Sequence, residues 1–291
     1  MPNDKLKSYL HLHLIVFIWG FTAILGALIQ KEALPLVWFR MSIAVLLVGA
    51  YLWFKKQSIQ VPARILKKLW LLGVIIALHW LTFFWAIKVS NVSITLACIS
   101  TGAFFTSLIE PFFQKRKIIA YEVIFGLLVV GGLFLIFQTE SNYYFGIILA
   151  LISAFLSALF SVVNGNLANQ VAPSVISFHE LAAGVVFLSL FLLLTGGFTI
   201  DFLSLSTADF GYLFLLSSVC TAYAFFASVQ VLKHLTPYTV MLTINLEPIY
   251  GILLALILFG EKEQMNPNFY FGALIILFTV ILNGIWKLRR K

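Results

Sequence analysis

The most regular feature of this chain is a succession of continuous apolar runs, each long enough to cross a lipid bilayer. A bilayer core takes about 20 residues of helix, whereas transmembrane barrel strands alternate over about ten residues, so the unbroken runs favour helices. The pattern predicts an all-α integral membrane protein with ten transmembrane helices. The predicted spans are 12–29, 35–54, 69–87, 92–113, 120–137, 144–164, 174–195, 208–228, 237–259 and 269–287.

The composition supports a membrane location. Hydrophobic residues make up 62% of the 291 residues and charged residues 10%, whereas a typical soluble domain has about 25% charged residues. The longest polar stretch, 55–68, is too short for a soluble catalytic domain. His179-Glu180 begins a zinc-protease pattern, but Ala183 stands where the second histidine ligand is required. We therefore expect no enzyme activity, no cofactor and no metal site.

The distribution of basic residues predicts the orientation in the membrane. With both ends inside, the inner segments hold 15 Lys and Arg, and the outer segments hold three, namely Lys31, Lys88 and Lys262. Cytoplasmic loops of membrane proteins carry such an excess, so the net charge of +8 requires no nucleic-acid partner. We predict a multi-pass protein of the cell (inner) membrane with cytoplasmic N- and C-termini.

The two halves of the chain resemble each other. Four pairs of residues occur in the same order at a nearly constant offset. The pairs are Pro35 and Pro173, Arg40 and His179, Lys88 and Lys233, and Gly126 and Gly272. We predict two five-helix repeats, residues 1–138 and 139–291. Because five is odd, the second repeat enters the membrane inverted, an arrangement typical of secondary transporters that work by alternating access.

Several longer segments carry a family resemblance. They are FIWGFTAILGALI and PLVWFR in the first repeat, AIKVSNVSITLA before the fourth span, and NLEPIYGILLALILFGEKEQMNPNFYFGALIIL in the last two spans. In these segments the chain resembles a ten-span, EamA-type member of the drug/metabolite transporter superfamily. The resemblance implies a secondary transporter, often an exporter, of amino acids, other metabolites or drugs. The fourth span departs from it, because TGAFFTSLIEPFFQKRK replaces the Pro-to-Gly-Glu pattern of 248–261.

The alternative function is a polytopic channel or a scaffold without carrier activity. Ten spans in an inverted repeat favour the carrier. The expected partners are a small-molecule substrate and the lipid bilayer. Proton coupling and the choice between a monomer and a homodimer stay open.

Glu247 is the strongest candidate for binding substrate or a coupling ion. A charged side chain at the bilayer centre costs on the order of 2.5–3.5 kcal/mol, and Glu247 lies near the middle of the ninth span. It belongs to a one-sided polar stripe at helical spacing, which comprises Thr236, Thr239, Thr243, Glu247 and Tyr250. Pro248 cannot donate to the carbonyl of Ile244, so we predict a helix break that offers free carbonyl groups. A purely structural glutamate is the alternative.

Four further side chains lie inside predicted spans. His79 could pair with Glu247 or relay protons, or it could be a satisfied core histidine. Trp19 and Trp80 could wall a cavity for an apolar part of the substrate, or simply pack. Arg40 could bind a substrate carboxylate through two hydrogen bonds, or extend its charged end to the interface.

Three weaker candidates complete the expected site. They are Thr101 in the fourth span, Asn164 in the sixth and His179 in the seventh. A stripe of small residues at four-residue steps precedes Asn164 and comprises Ser153, Ser157 and Ser161; close helix packing is its simpler explanation. We expect a central cavity walled by spans one to four and six to nine, with the fifth and tenth spans peripheral.

Overall fold

The chain folds as a bundle of α-helices. The computed structural model describes residues 2–115, 119–139 and 141–289, and these residues contain no β-strand. In chain order the helices are α1 (Pro2–Leu28), α2 (Ala33–Phe54), α3 (Ala63–Val89), α4 (Val92–Ile99), α5 (Gly102–Gln114), α6 (Ala120–Thr139), α7 (Tyr144–Leu167), α8 (Pro173–Thr195), α9 (Ile200–Leu203), α10 (Thr207–Ser217), α11 (Ala224–Val231), α12 (Pro237–Ile244), α13 (Glu247–Phe259) and α14 (Pro267–Arg289). A π-helical turn, Ser218–Tyr223, joins α10 to α11.

Within the described residues, eight helical segments are long and apolar enough to cross a membrane. They are Asp4–Leu28, Ala33–Phe54, Ala63–Val89, Val92–Phe113, Tyr144–Leu167, Pro173–Thr195, Thr207–Val231 and Pro237–Glu263. These segments match the predicted first four and sixth to ninth spans, so the all-α multi-pass fold is confirmed. α6 and α14 match the other two predictions, but their described apolar stretches are shorter. The total of ten spans stays a prediction.

Two helices begin earlier than the predicted spans. α1 starts at Pro2 and α3 at Ala63, whereas the apolar runs start at 12 and 69. The prediction followed the apolar residues alone. Lysine, arginine and leucine are good helix formers, so both helices continue through polar residues beyond the apolar run.

The fourth and ninth spans are each broken into a short and a longer helix. α4 and α12 have eight residues each, and α5 and α13 have 13 each. At the ninth-span break, the amides of Asn245 and Leu246 bond to carbonyls three residues back, and Pro248 follows with no N–H to donate. In the fourth span the Thr101 amide likewise bonds to the Cys98 carbonyl. That second break was not predicted, because no proline stands there.

The two halves interleave around α3. α3 packs against α7 and α8, α1 packs against α11 and α13, and α4 packs against α7 and α13. α6 and α14 pack against each other, and Gly132 and Gly272 bring their backbones together. The outer faces of this pair carry exposed apolar side chains such as Leu127 and Phe278. The centre of the bundle therefore lies among the other helices, and the candidate site is found there.

Candidate functional site

A cavity of about 90 Å³ lies in the middle of the bundle. At roughly 10–15 Å³ per water, it has room for about six to nine water-sized units, which suits a small solute. Its polar lining side chains are Thr22, Arg40, His79, Ser157, Ser161, Ser228 and Glu247, and its aromatic ones are Trp19, Trp80, Phe83, Phe160 and Phe225. Among the described residues, none from α6, α8 or α14 lines it. The seventh span, α8, was expected in the wall but packs behind α2 and α3.

Arg40 is held rigidly at the cavity wall. Its side chain is 1% exposed, so it does not extend to the interface. Nε donates to the Thr221 hydroxyl at 2.6 Å, and the guanidinium carbon lies 4.1 Å from the centre of the Trp80 ring. Nη1 is buried without a hydrogen-bond partner. A buried unsatisfied donor is costly, so Nη1 is the part of the guanidinium that still needs a hydrogen-bond acceptor.

The π-helical turn supplies the partners of two site residues. The hydroxyl of Thr221 donates to the Leu216 carbonyl at 2.7 Å, five residues back, which leaves its oxygen free to accept from Arg40. The indole N–H of Trp19 donates to the Cys220 carbonyl at 3.1 Å. π-Helical turns are rare and frequently occur at functional sites. Here the turn fixes side chains from α1 and α2 to the second half of the chain.

Glu247 is the first residue of α13 and lies at the predicted break. Its side chain is 7% exposed and lines the cavity. A carboxylate in the first turn of a helix is favoured by the helix dipole. The charge of Arg40 interacts with it from the other half of the chain. The cavity therefore holds one buried guanidinium group and one buried carboxyl group.

The hydrogen bonds of His79 go to α7 and not to Glu247. Its Nδ1 lies 2.8 Å from the Ser153 hydroxyl and 2.9 Å from the Ser153 carbonyl oxygen, so its ring is tied to α7. Arg40 is the charged side chain that acts electrostatically on the Glu247 carboxyl group. His79 still lines the cavity, where its other ring nitrogen can meet a ligand.

Tyr250 and Thr243 lie apart from the cavity, although Glu247 lies between them in sequence. Thr243 donates to the Thr239 carbonyl at 3.0 Å and lines a separate crevice beside His13. The ring of Tyr250 packs edge-on against Phe17 at 5.4 Å. The stripe was placed on one helical face, but the break between α12 and α13 falls inside it, and of these three residues Glu247 alone lines the cavity.

The three weaker candidates also lie outside the lining. The hydroxyl of Thr101 donates to the Cys98 carbonyl at 2.7 Å and so supports the break in the fourth span. His179 bonds to the Ile59 carbonyl oxygen at 2.8 Å, in the segment between α2 and α3. Asn164 is fully buried.

Sequence reasoning assigned too little to the small hydroxyl residues. Ser157 and Ser161 were attributed to helix packing, yet both line the cavity, as do Thr22 and Ser228. Thr221, the partner of Arg40, was not singled out. Single hydroxyl groups are common in membrane helices, so only the serine stripe of the sixth span carried a signal that could have identified them.

Comparison with known proteins places this architecture in a family. Residues 6–138 and 144–285 each match the sequence profile of the EamA-like transporter family. The chain belongs to the EamA-like transporter family. It is a membrane transporter, and the cavity of this EamA-like protein draws residues from both matched regions, including Arg40 from the first and Glu247 from the second.

A relative and a solved structure extend over nearly the whole EamA-like chain. A protein of Archaeoglobus fulgidus described as an uncharacterized transporter is 24% identical over 95% of this chain and 96% of its own length. A protein known from a crystal structure has the same fold, with a TM-score of 0.71, 14% identity, and coverage of 95% of this chain and 96% of its own. The second likeness concerns the fold alone.

Proposed function

We propose that this protein is a secondary carrier of small zwitterionic metabolites, amino acids above all, and that it exports them by alternating access. The observation that carries the proposal is that buried Arg40 and buried Glu247 line the same small cavity, one from each half of the chain. Charged groups inside a membrane are expensive. A basic and an acidic side chain in one cavity suit a ligand that carries both a negative and a positive charge.

The chemistry of binding follows from the two fixed groups. The buried Nη1 group of Arg40 donates to the ligand carboxylate, because Nε already donates to Thr221. Glu247 accepts an ammonium group, and hydrogen bonds to charged groups contribute about 1.5–3 kcal/mol each. Trp80, Phe160 and Phe225 offer apolar surface to the rest of the ligand.

The proposed motion uses the two repeats, taken as residues 1–138 and 139–291. If the repeats are inverted, each contributes one broken span, α4–α5 or α12–α13, on either side of the cavity. A broken helix bends at less cost than a continuous one, so these breaks are suitable hinges for opening the cavity to one side at a time. The ten-span topology is supported by the positive-inside pattern, and export is what the family resemblance implies.

The test is counterflow into proteoliposomes loaded with unlabelled solute. The panel compares neutral amino acids with monoamines and monocarboxylates of matched size. We expect saturable counterflow of zwitterions and at least tenfold lower rates for solutes that lack one charge. Flux that rises linearly with concentration would indicate a channel, and equal rates for singly charged solutes would contradict the two-charge site.

A matched pair of variants tests whether counterflow depends on the cavity. Glu247→Gln removes the buried carboxylate, whereas Glu261→Gln changes a glutamate exposed near the end of α13. Counterflow should fall only in the first. An equal loss of counterflow in both variants would show that the loss does not arise from the cavity carboxyl group.

A further inference from the structure

A second buried carboxyl group lies outside the cavity. Glu180 of α8 is 0% exposed, and neither of its oxygens has a hydrogen-bond partner. Its polar neighbour is Asn164 of α7, which is also 0% exposed and has neither amide atom bonded. An isolated buried carboxylate is so costly that the group takes up a proton or a counter-charge instead. A proton or a counter-charge would therefore stabilise Glu180 in this position.

The charged groups of the surrounding elements do not bond this carboxyl. α8 packs against α2, α3 and α11, and α11 carries no titratable side chain. On α2 and α3, Arg40 and His79 line the central cavity. The remaining titratable side chains are Tyr51, Arg64, Lys67 and Lys68, which are exposed, and Lys88 at the far end of α3. On α8 itself, His179 bonds to the Ile59 carbonyl oxygen.

The pair lies between the cavity and one end of the bundle. Ser161 lines the cavity, and Asn164 follows three residues later on the same face of α7. Gly165 touches Pro237, the first residue of α12. Glu180 lies seven residues into α8, about 10 Å along the helix. The pair is thus next to the helix that leads to Glu247, on the side predicted to be cytoplasmic.

We propose that Glu180 and Asn164 form a reversible proton-binding site. The proton adds to one carboxylate oxygen, and the resulting O–H donates to the amide oxygen of Asn164, while the amide N–H donates to the other oxygen. The two groups then satisfy each other without a charge. A divalent cation fits less well, because it prefers six or more oxygen ligands and this pair offers three. Coupling of this proton to transport rests on the proposed function, but its binding does not.

The test is infrared spectroscopy of the protein in lipid membranes at neutral pH, in H₂O and D₂O. We expect a protonated-carboxyl C=O band that shifts in D₂O, is lost in Glu180→Gln and persists in Glu247→Gln. Asn164→Leu keeps the carboxyl and removes its partner, so the band should move to higher wavenumber. This second variant keeps the test valid if Glu180→Gln does not fold.

Three results would overturn the site. A band that is unchanged in Glu180→Gln would assign the proton elsewhere. A band that does not move in Asn164→Leu would exclude the pairing. Loss of the band on adding sodium or magnesium chloride would identify a metal cation as the ligand. None of these results depends on transport, so a failed counterflow experiment would contradict the proposed function and not the proton site.

Discussion

Arg40 shows most clearly how a single residue acquires its role from its surroundings. Stacking on Trp80 and the bond to Thr221 fix the guanidinium plane, and both depend on its planar, multi-donor shape. Arg40→Lys keeps the charge but has no planar guanidinium to stack on Trp80 while it donates both to Thr221 and to a ligand. At about 1.5–3 kcal/mol for a lost charged hydrogen bond, the KM for a zwitterion should rise about 10- to 100-fold. Arg64→Lys, at the exposed start of α3, is the control, and an unchanged KM in Arg40→Lys would contradict the carboxylate role.

Glu247 supports a second prediction at the scale of one residue. Glu247→Gln keeps the size and most hydrogen bonding of the side chain but cannot titrate. Membrane expression should stay near normal, while flux falls and its pH dependence flattens. Counterflow between acidic and alkaline pH, at matched protein levels, measures both effects. Wild-type flux with a wild-type pH profile would show that the residue is structural only.

At the scale of helices, the break between α12 and α13 should be a working hinge. Pro248 lies in the first turn of α13, where proline is tolerated, and Pro248→Ala supplies the N–H that a continuous helix through α12 and α13 would need. We therefore expect a higher melting temperature together with slower counterflow. Pro173→Ala, at the first residue of α8, is the control, since that proline begins an unbroken helix. Higher stability with unchanged flux in Pro248→Ala would mean that the break does not move.

The crossing of α3 and α8 depends on glycine. A Cβ atom at Gly73 would collide with the backbone carbonyl of Glu180 and with Ala183, whereas one at Gly131 would meet nothing within 4 Å. Gly73→Ala should lower the melting temperature or prevent assembly. Gly131→Ala should be neutral or stabilise by about 0.5–1 kcal/mol, because alanine loses less entropy than glycine in a helix. Similar melting temperatures for both variants would contradict this packing.

For the whole molecule, the prediction concerns topology. Fifteen basic residues in inner segments against three in outer ones predict ten spans with both ends cytoplasmic. A reporter fused after Lys291 should behave as cytoplasmic, and one inserted between residues 198 and 209 as external. An external C-terminal reporter would make the number of spans odd. The two repeats would then not be inverted, and the proposed motion would lose its basis.

Local sequence determined the elements of this protein. The need for about 20 apolar residues per span is met within each segment, so the positions of the eight candidate spans could be predicted without knowing their neighbours. The break beside Pro248 was equally local, because a missing N–H acts wherever the helix lies. Glu247 could be selected as the strongest candidate from the sequence because a charged side chain is costly in the middle of the membrane.

Tertiary structure alone decided which side chains meet. Thr243 and Glu247 belong to one sequence stripe, yet they lie on opposite sides of the helix break and line different cavities. Arg40 contacts Trp80 and Thr221, and the bond to Thr221 spans 181 residues of sequence. Such contacts depend on how each helix is turned about its axis and on close approaches such as Gly73 against Glu180. Hydrophobicity sets the depth of a residue in the membrane, but only packing between helices sets its partners.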